Sequence, residues 1–156
     1  MSRDPVRLAD RALEAVRTGR FERTLSALTA GGAVITTLEI YTSHDSASFG
    51  NKMMWWPVLI VPTAVPAGIA GVISRRAART VLPIASALIV ANGLQGTYLH
   101  VRGVAQKPGG WSMAAYNVEM GPPVFAPLLA SLVGGMGLLA SVLRREGSTA
   151  DAVPQS

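Results

Sequence analysis

Four side chains in this sequence, Glu39, His44, His100 and Glu119, are of types that could do chemistry together. Two imidazoles and two carboxylates suit zinc, copper or iron held without sulfur. Two histidines at one depth on separate helices could instead ligate a b-type haem axially, leaving the carboxylates to pair with Arg102. A third use is a quinone pocket, in which His and Glu exchange protons with the ring beneath an aromatic rim. The spacing selects none of these, because there is no H-E-x-x-H, no Glu-x-x-His pair and no second histidine beside either one. A plainer arrangement stands next to them: Glu39 pairs with Arg102, the histidines are polar interfacial groups, and nothing binds.

What the four can do depends on the elements that position them. Of 156 residues, 49% are hydrophobic and 15% charged, with a mean hydropathy of +0.35, a composition unusual for a soluble domain of this length. The apolar residues are gathered in four blocks, about 24–41, 55–74, 80–100 and 123–143. Each approaches the roughly 20 residues that cross a bilayer at 1.5 Å per residue. The expectation is therefore an all-α integral membrane protein, a bundle of four transmembrane helices spanning 24–143. The first block follows more than twenty residues and lacks an A-x-A cleavage site, so it is read as a span and not as a secretory signal.

Arginine and lysine orient the bundle. Six precede the first block (Arg3, Arg7, Arg11, Arg17, Arg20 and Arg23), three separate the second from the third (Arg75, Arg76 and Arg79), and two follow the fourth (Arg144 and Arg145). The other two loops share Lys52, Arg102 and Lys107. This excess puts both termini on the cytoplasmic side. The aromatics separate the other way: Phe21 alone belongs to the inner side, and Trp55, Trp56 and Trp111 are expected to anchor the outer interface. The basic residues sit at the edges of apolar blocks with no stripe interleaved with aromatics, so nucleic acid is not an expected partner. Cysteine is absent, which excludes disulfides, thiolate metal sites and covalently attached haem.

Residues 1–23 read as an amphipathic helix lying on the cytoplasmic membrane face, with Asp4 as N-cap, Pro5 at the first helical position and Leu8, Ala12, Leu13 and Val16 as its apolar stripe. A docking helix for a cytoplasmic partner is the rival reading. Residues 144–156 are polar and small and are expected to be disordered. Within the bundle, Ala27, Gly31 and Gly32 on the first helix and Ser131, Gly134, Gly135 and Gly137 on the fourth offer close packing. Pro62 and Pro66 should bend the second helix.

The polar residues of the outer half complete the expectation. Glu39 falls in the last turn of the first helix with Thr36 and Ser43 on its face, and His44 falls just past the helix end. Asn92, Gln95, Gly96 and His100 share one arc of the third. His100, at that helix's C-terminal end, faces a dipole that favours a cation. Pro108 and Gly109 take the central positions of a type II turn. Asn117 and Glu119 belong to an extended segment ahead of Pro122 and Pro123.

At "LHVRGVAQKPGGW" and "NVEMGPPVFAPLL" the sequence resembles a group of small four-helix bacterial inner-membrane proteins. That resemblance implies a multi-pass protein of the bacterial inner membrane and carries no activity with it. The chain holds no catalytic motif, so it is expected to act without chemistry of its own, as a membrane subunit or anchor that docks other membrane or extracytoplasmic subunits, or further copies of itself, through its outer loops. The alternative is a redox or metal-handling protein that binds haem b, a metal ion or a quinone through His44, His100, Glu39 and Glu119.

Overall fold

The computed structural model describes residues 5–143, and every regular element among them is helical. An N-terminal helix, α1 (Pro5–Arg17), turns at Gly19 (φ 68°) into α2 (Arg20–Ser46). The second apolar block forms α3 (Trp55–Ile60) and α4 (Ala64–Ile73), and the short basic α5 (Arg75–Arg79) leads into α6 (Val81–Ala105). A loop carrying α7 (Ala114–Glu119) returns the chain to α8 (Ala126–Val142). The stretches Lys52–Ile73 and Arg75–Ala105 are long and apolar enough to cross a membrane, and α8 is a shorter apolar helix. Asp4, Arg3 and the tail from Arg144 lie outside the described residues.

Each of the long helices packs on two others. α2 lies against α4 and α8, and α6 lies against the same pair, so α2 and α6 stand on opposite corners of a four-cornered bundle. The interior is built from small residues, with Ala33, Ala64, Ala67, Ala85, Ala130 and Ala140 buried around Leu82 and Ile89. Large aliphatic side chains point outward on every corner, among them Ile35, Ile73, Ile84, Leu132 and Val142, each at least 65% exposed. Small residues let backbones approach closely, which is how helices associate when the surrounding medium is as apolar as leucine. Two glycines show how close the approach is. A Cβ at Gly68 would lie 2.6 Å from the Ser26 carbonyl oxygen, and one at Gly134 would lie 2.7 Å from that of Ser86.

The packing face of α2 differs from the expected one. Ser26, Thr29, Ala30 and Ala33 are buried, while Ala27 is exposed and Gly31 has nothing within 4 Å of where its Cβ would be. Gly32 meets Val133. On α8, Gly134 and Gly137 face the interior as expected, but Gly135 does not. Small residues occur on both sides of α2, so their spacing alone does not fix which side turns inward.

Three helix ends also move. α2 continues through Ser46 because no proline or glycine interrupts "YTSHDS"; it closes only where Ser48 (φ 54°) and Phe49 (φ 45°) turn left-handed and the Phe49 amide reaches back to the His44 carbonyl at 3.0 Å. Glu39 therefore lies about two turns inside the helix, and His44 sits in its last turn, not past its end. α6 runs to Ala105, so His100 lies more than a turn from the C-terminus, beyond the short reach of the terminal dipole. The segment ahead of Pro122 is not extended throughout: Tyr116, Asn117 and Glu119 belong to α7, because the pre-proline restriction acts only on Gly121 and Pro122. The turn at Pro108 and Gly109 forms as expected, with Gly109 at φ 77° and the Gly110 amide bonded to the Lys107 carbonyl at 2.8 Å.

Of the two inner prolines, Pro62 tightens the helical run Lys52–Ile73 into a 3-10 turn without ending it, and Pro66 leaves it α-helical. Val61–Thr63 is a 3-10 turn between α3 and α4, while Pro66 falls in the first turn of α4, where a missing N–H costs little. On one side of this turn α4 lies against α2 and, less extensively, α6; on the other α3 lies against α6 and, less extensively, α2. The bundle is open in the half that holds α3.

Candidate functional site

The opening is a cavity of about 530 Å³ between the diagonal helices α2 and α6, closed at the sides by α3 and by the start of α8. Such a volume lies within the range of small-molecule sites, roughly 300–1,000 Å³. α2 contributes Thr36, Glu39, Ser43 and His44, on successive turns of one face. α6 contributes Asn92, Gln95, Gly96 and His100, the arc expected from sequence, and beyond them Arg102 and Gln106. The apolar walls include Ile40, Trp56, Pro57, Leu99, Pro127 and Ala130. Placement in a bundle core, by side chains on facing helices, is the usual way helical bundles build ligand sites.

His100 is held by a hydrogen bond. Its Nδ1–H donates to the Pro123 carbonyl oxygen at 2.8 Å, tying α6 to the chain just ahead of α8. A proline carbonyl can only accept, so Nδ1 carries the proton and Nε2 is left as an acceptor. His44 follows Tyr41, where the apolar block ends, and is half-buried. Burial, and then the charge of neighbouring His100, push its imidazole below the usual histidine value, favouring the neutral ring. Its Nδ1 is buried and has no hydrogen-bond partner.

Beside the cavity an aromatic cluster braces the loop that closes α2. Phe49 stacks on Trp55 with ring centroids 4.2 Å apart and planes 15° from parallel, and Tyr41 and His44 lie at 5.7 and 6.2 Å from Phe49. Two consecutive non-glycine residues in the left-handed region carry a strain of about 1–2 kcal/mol each. The stack, worth about 0.5–1.5 kcal/mol beyond its burial, offsets part of that strain. Trp56, next along, faces the cavity instead.

The structure brings together Glu39, His44, His100, Asn92, Gln95 and Arg102, and leaves Glu119 and Asn117 out of the cavity. Glu119 is exposed at the end of α7. Asn117 is buried for a different purpose: its Nδ2 donates to the carbonyls of Pro108 (3.1 Å) and Gly110 (2.8 Å), locking α7 onto the turn. Trp111 is exposed on the same loop. Among the described residues no group of three His, Asp or Glu stands close enough to hold a metal ion, so the four-ligand arrangement does not assemble. Glu39 and Arg102 line one cavity, with no ion pair joining them among the described residues.

Sequence reasoning missed Asn51, Gln106 and Pro123. Gln106 follows Arg102 by four, a helical repeat visible only once α6 is known to run past His100. Asn51 accepts from the Met53 amide at 2.9 Å and starts the short turn that carries Met53 and Met54 to the cavity. No pattern in the sequence marked either Asn51 or the Pro123 carbonyl. No family model, curated protein or solved structure matches the chain.

Proposed function

We propose that this chain is a multi-pass membrane protein of the bacterial inner-membrane type, without catalysis of its own, that holds a lipid-soluble small molecule in the outer half of a four-span bundle. The cavity between α2 and α6 is the observation that carries this reading. Spans over 24–41, 55–74, 80–100 and 123–143 are supported by the inverted distribution of side chains: small residues within, and large aliphatics on every outer face. At 27 residues α2 is about 40 Å long, more than a hydrocarbon core of about 30 Å, so its basic start and its His44 end project into the headgroup layers. The arginine excess puts α1, α5 and the C-terminal end of α8 on the cytoplasmic side, and α7 outside.

A second reading, a membrane subunit that docks partners from outside, is favoured by one observation. Trp111, Met113, Tyr116 and Met120 project from the α7 loop at half or more of their full exposure. Such a rim is also what an interfacial belt requires, and the two roles are compatible.

The absence of cysteine makes the topology directly testable. Single replacements Arg76→Cys and Ser112→Cys, in otherwise unaltered protein, are treated in spheroplasts with a membrane-impermeant maleimide. The Ser112→Cys protein is expected to react from outside and the Arg76→Cys protein only after permeabilisation. The reverse pattern, or release of the protein from membranes by alkaline carbonate, overturns the reading.

A further inference from the structure

The polar groups of the cavity also restrict what it can hold, and this step rests on the membrane reading above. A bare cation is a poor occupant, because no three ligating side chains converge among the described residues. A fixed anion or cation meets both signs of charge, Glu39 and Arg102, in the same chamber. What the walls offer in common is a large apolar surface with hydrogen-bonding groups of both senses. Arg102 and Gln95 can donate, Glu39 can accept, and the His100 ring, its Nδ1–H committed to Pro123, can only accept through Nε2 unless protonated. A ligand that fits this must be neutral, enter from lipid, and carry oxygens that accept in one form and donate in another.

We propose that the cavity binds the headgroup of a membrane quinone and its quinol. The carbonyls of the quinone accept from Arg102 and Gln95, and a hydroxyl of the quinol donates to His100 Nε2 or to the Glu39 carboxylate. Trp56 and Pro57 form an apolar wall beside the ring, and the isoprenoid tail continues into lipid. Binding of both redox forms is the whole of the proposal, and no electron transfer is assigned to the chain. The acceptor at His100 predicts preference for quinol, since the oxidised ring has no hydrogen to give it.

The test uses full-length protein purified in detergent and titrated with decylubiquinone and with a short-tailed naphthoquinone, each also in its dithionite-reduced form, following quenching of tryptophan fluorescence. Saturable quenching by at least one of them is expected, with the saturable part reduced in Trp56→Phe, the tryptophan that lines the cavity. His100→Phe and Glu39→Leu, which leave no acceptor, should weaken quinol binding about five- to tenfold, the loss of one hydrogen bond, and change quinone binding less. Glu39 is exposed, so its variant reports on binding even where a histidine variant fails to fold. Quenching that rises linearly and equally in Ser43→Phe, a substitution that fills the cavity, overturns the proposal. So does a Soret band in the purified protein that is lost in His100→Asn, which would make haem the occupant. If cysteine labelling follows the expected pattern while quenching stays linear, the quinone falls and the membrane bundle stands.

Discussion

The two halves of this bundle pack to opposite effect. In the half that holds α4, Gly68 against Ser26 and Gly134 against Ser86 bring helix backbones into direct contact, with no room at either glycine even for a Cβ. In the half that holds α3, this helix lies against α6 and more lightly against α2, and the space between the diagonal helices is lined by Glu39, His44, Gln95 and His100. Rigidity and vacancy are thus separated along one axis by a single proline-bearing 3-10 turn. The lesson is that small residues do not by themselves make a tight bundle; they do so only where the helix carrying them runs straight past its neighbour.

The hardest way to break this contrast is to loosen the tight half. Gly68→Val puts a branched side chain where even a Cβ lies 2.6 Å from a backbone oxygen. It is expected to cost ~3 kcal/mol or more, read as loss of the thermal transition in detergent. A smaller loss is expected from the open half. His100→Ala removes the bond to the Pro123 carbonyl, which should lower stability by ~1 kcal/mol and speed hydrogen exchange in residues 122–126.

Acid should act on the open half through His44. The folded pKa of His44 lies below 6.5, so the unfolded chain takes up its proton first as pH falls. Its contribution is level above about pH 7 and becomes destabilising as pH drops through the ordinary histidine range near 6.5. A thermal series from pH 7.5 to 5 should show this slope in the native protein and lose part of it in His44→Gln; an unchanged slope would place the titrating group elsewhere. The smallest effects sharpen the comparison from the outside. Ser48→Gly relieves a left-handed residue and Gly31→Ala improves a helix position with free space around it, and each should raise stability by up to ~1 kcal/mol in the same melts.

Much of this arrangement was legible in the sequence. The apolar blocks located the long helices because a continuous run of that length has few alternatives. The turn at Pro108 and Gly109 was legible because one residue fixes φ and the next tolerates its opposite sign. Helix ends were not, since Thr42, Ser43 and His44 are neutral toward continuing a helix and the stop signal at Ser48 and Phe49 uses residues that seldom adopt that backbone. The shared face of Thr36, Glu39 and Ser43 followed from periodicity, as did that of Asn92, Gln95 and His100. That the two faces meet across a chamber did not, because it depends on which neighbour α3 chooses above Val61. Glu119 and Asn117 looked like members of the site by type and proximity in the chain, and Asn117 proved to be a fastener for the α7 loop.

The 3-10 turn at Val61–Thr63 carries one more consequence. Because Pro62 supplies no amide hydrogen, the helical run Lys52–Ile73 is short of one backbone donor at the 3-10 turn that joins α3 to the α4 segment packed at Gly68. That turn is where the cavity wall carrying Trp56 and Pro57 meets the closely packed part of the bundle.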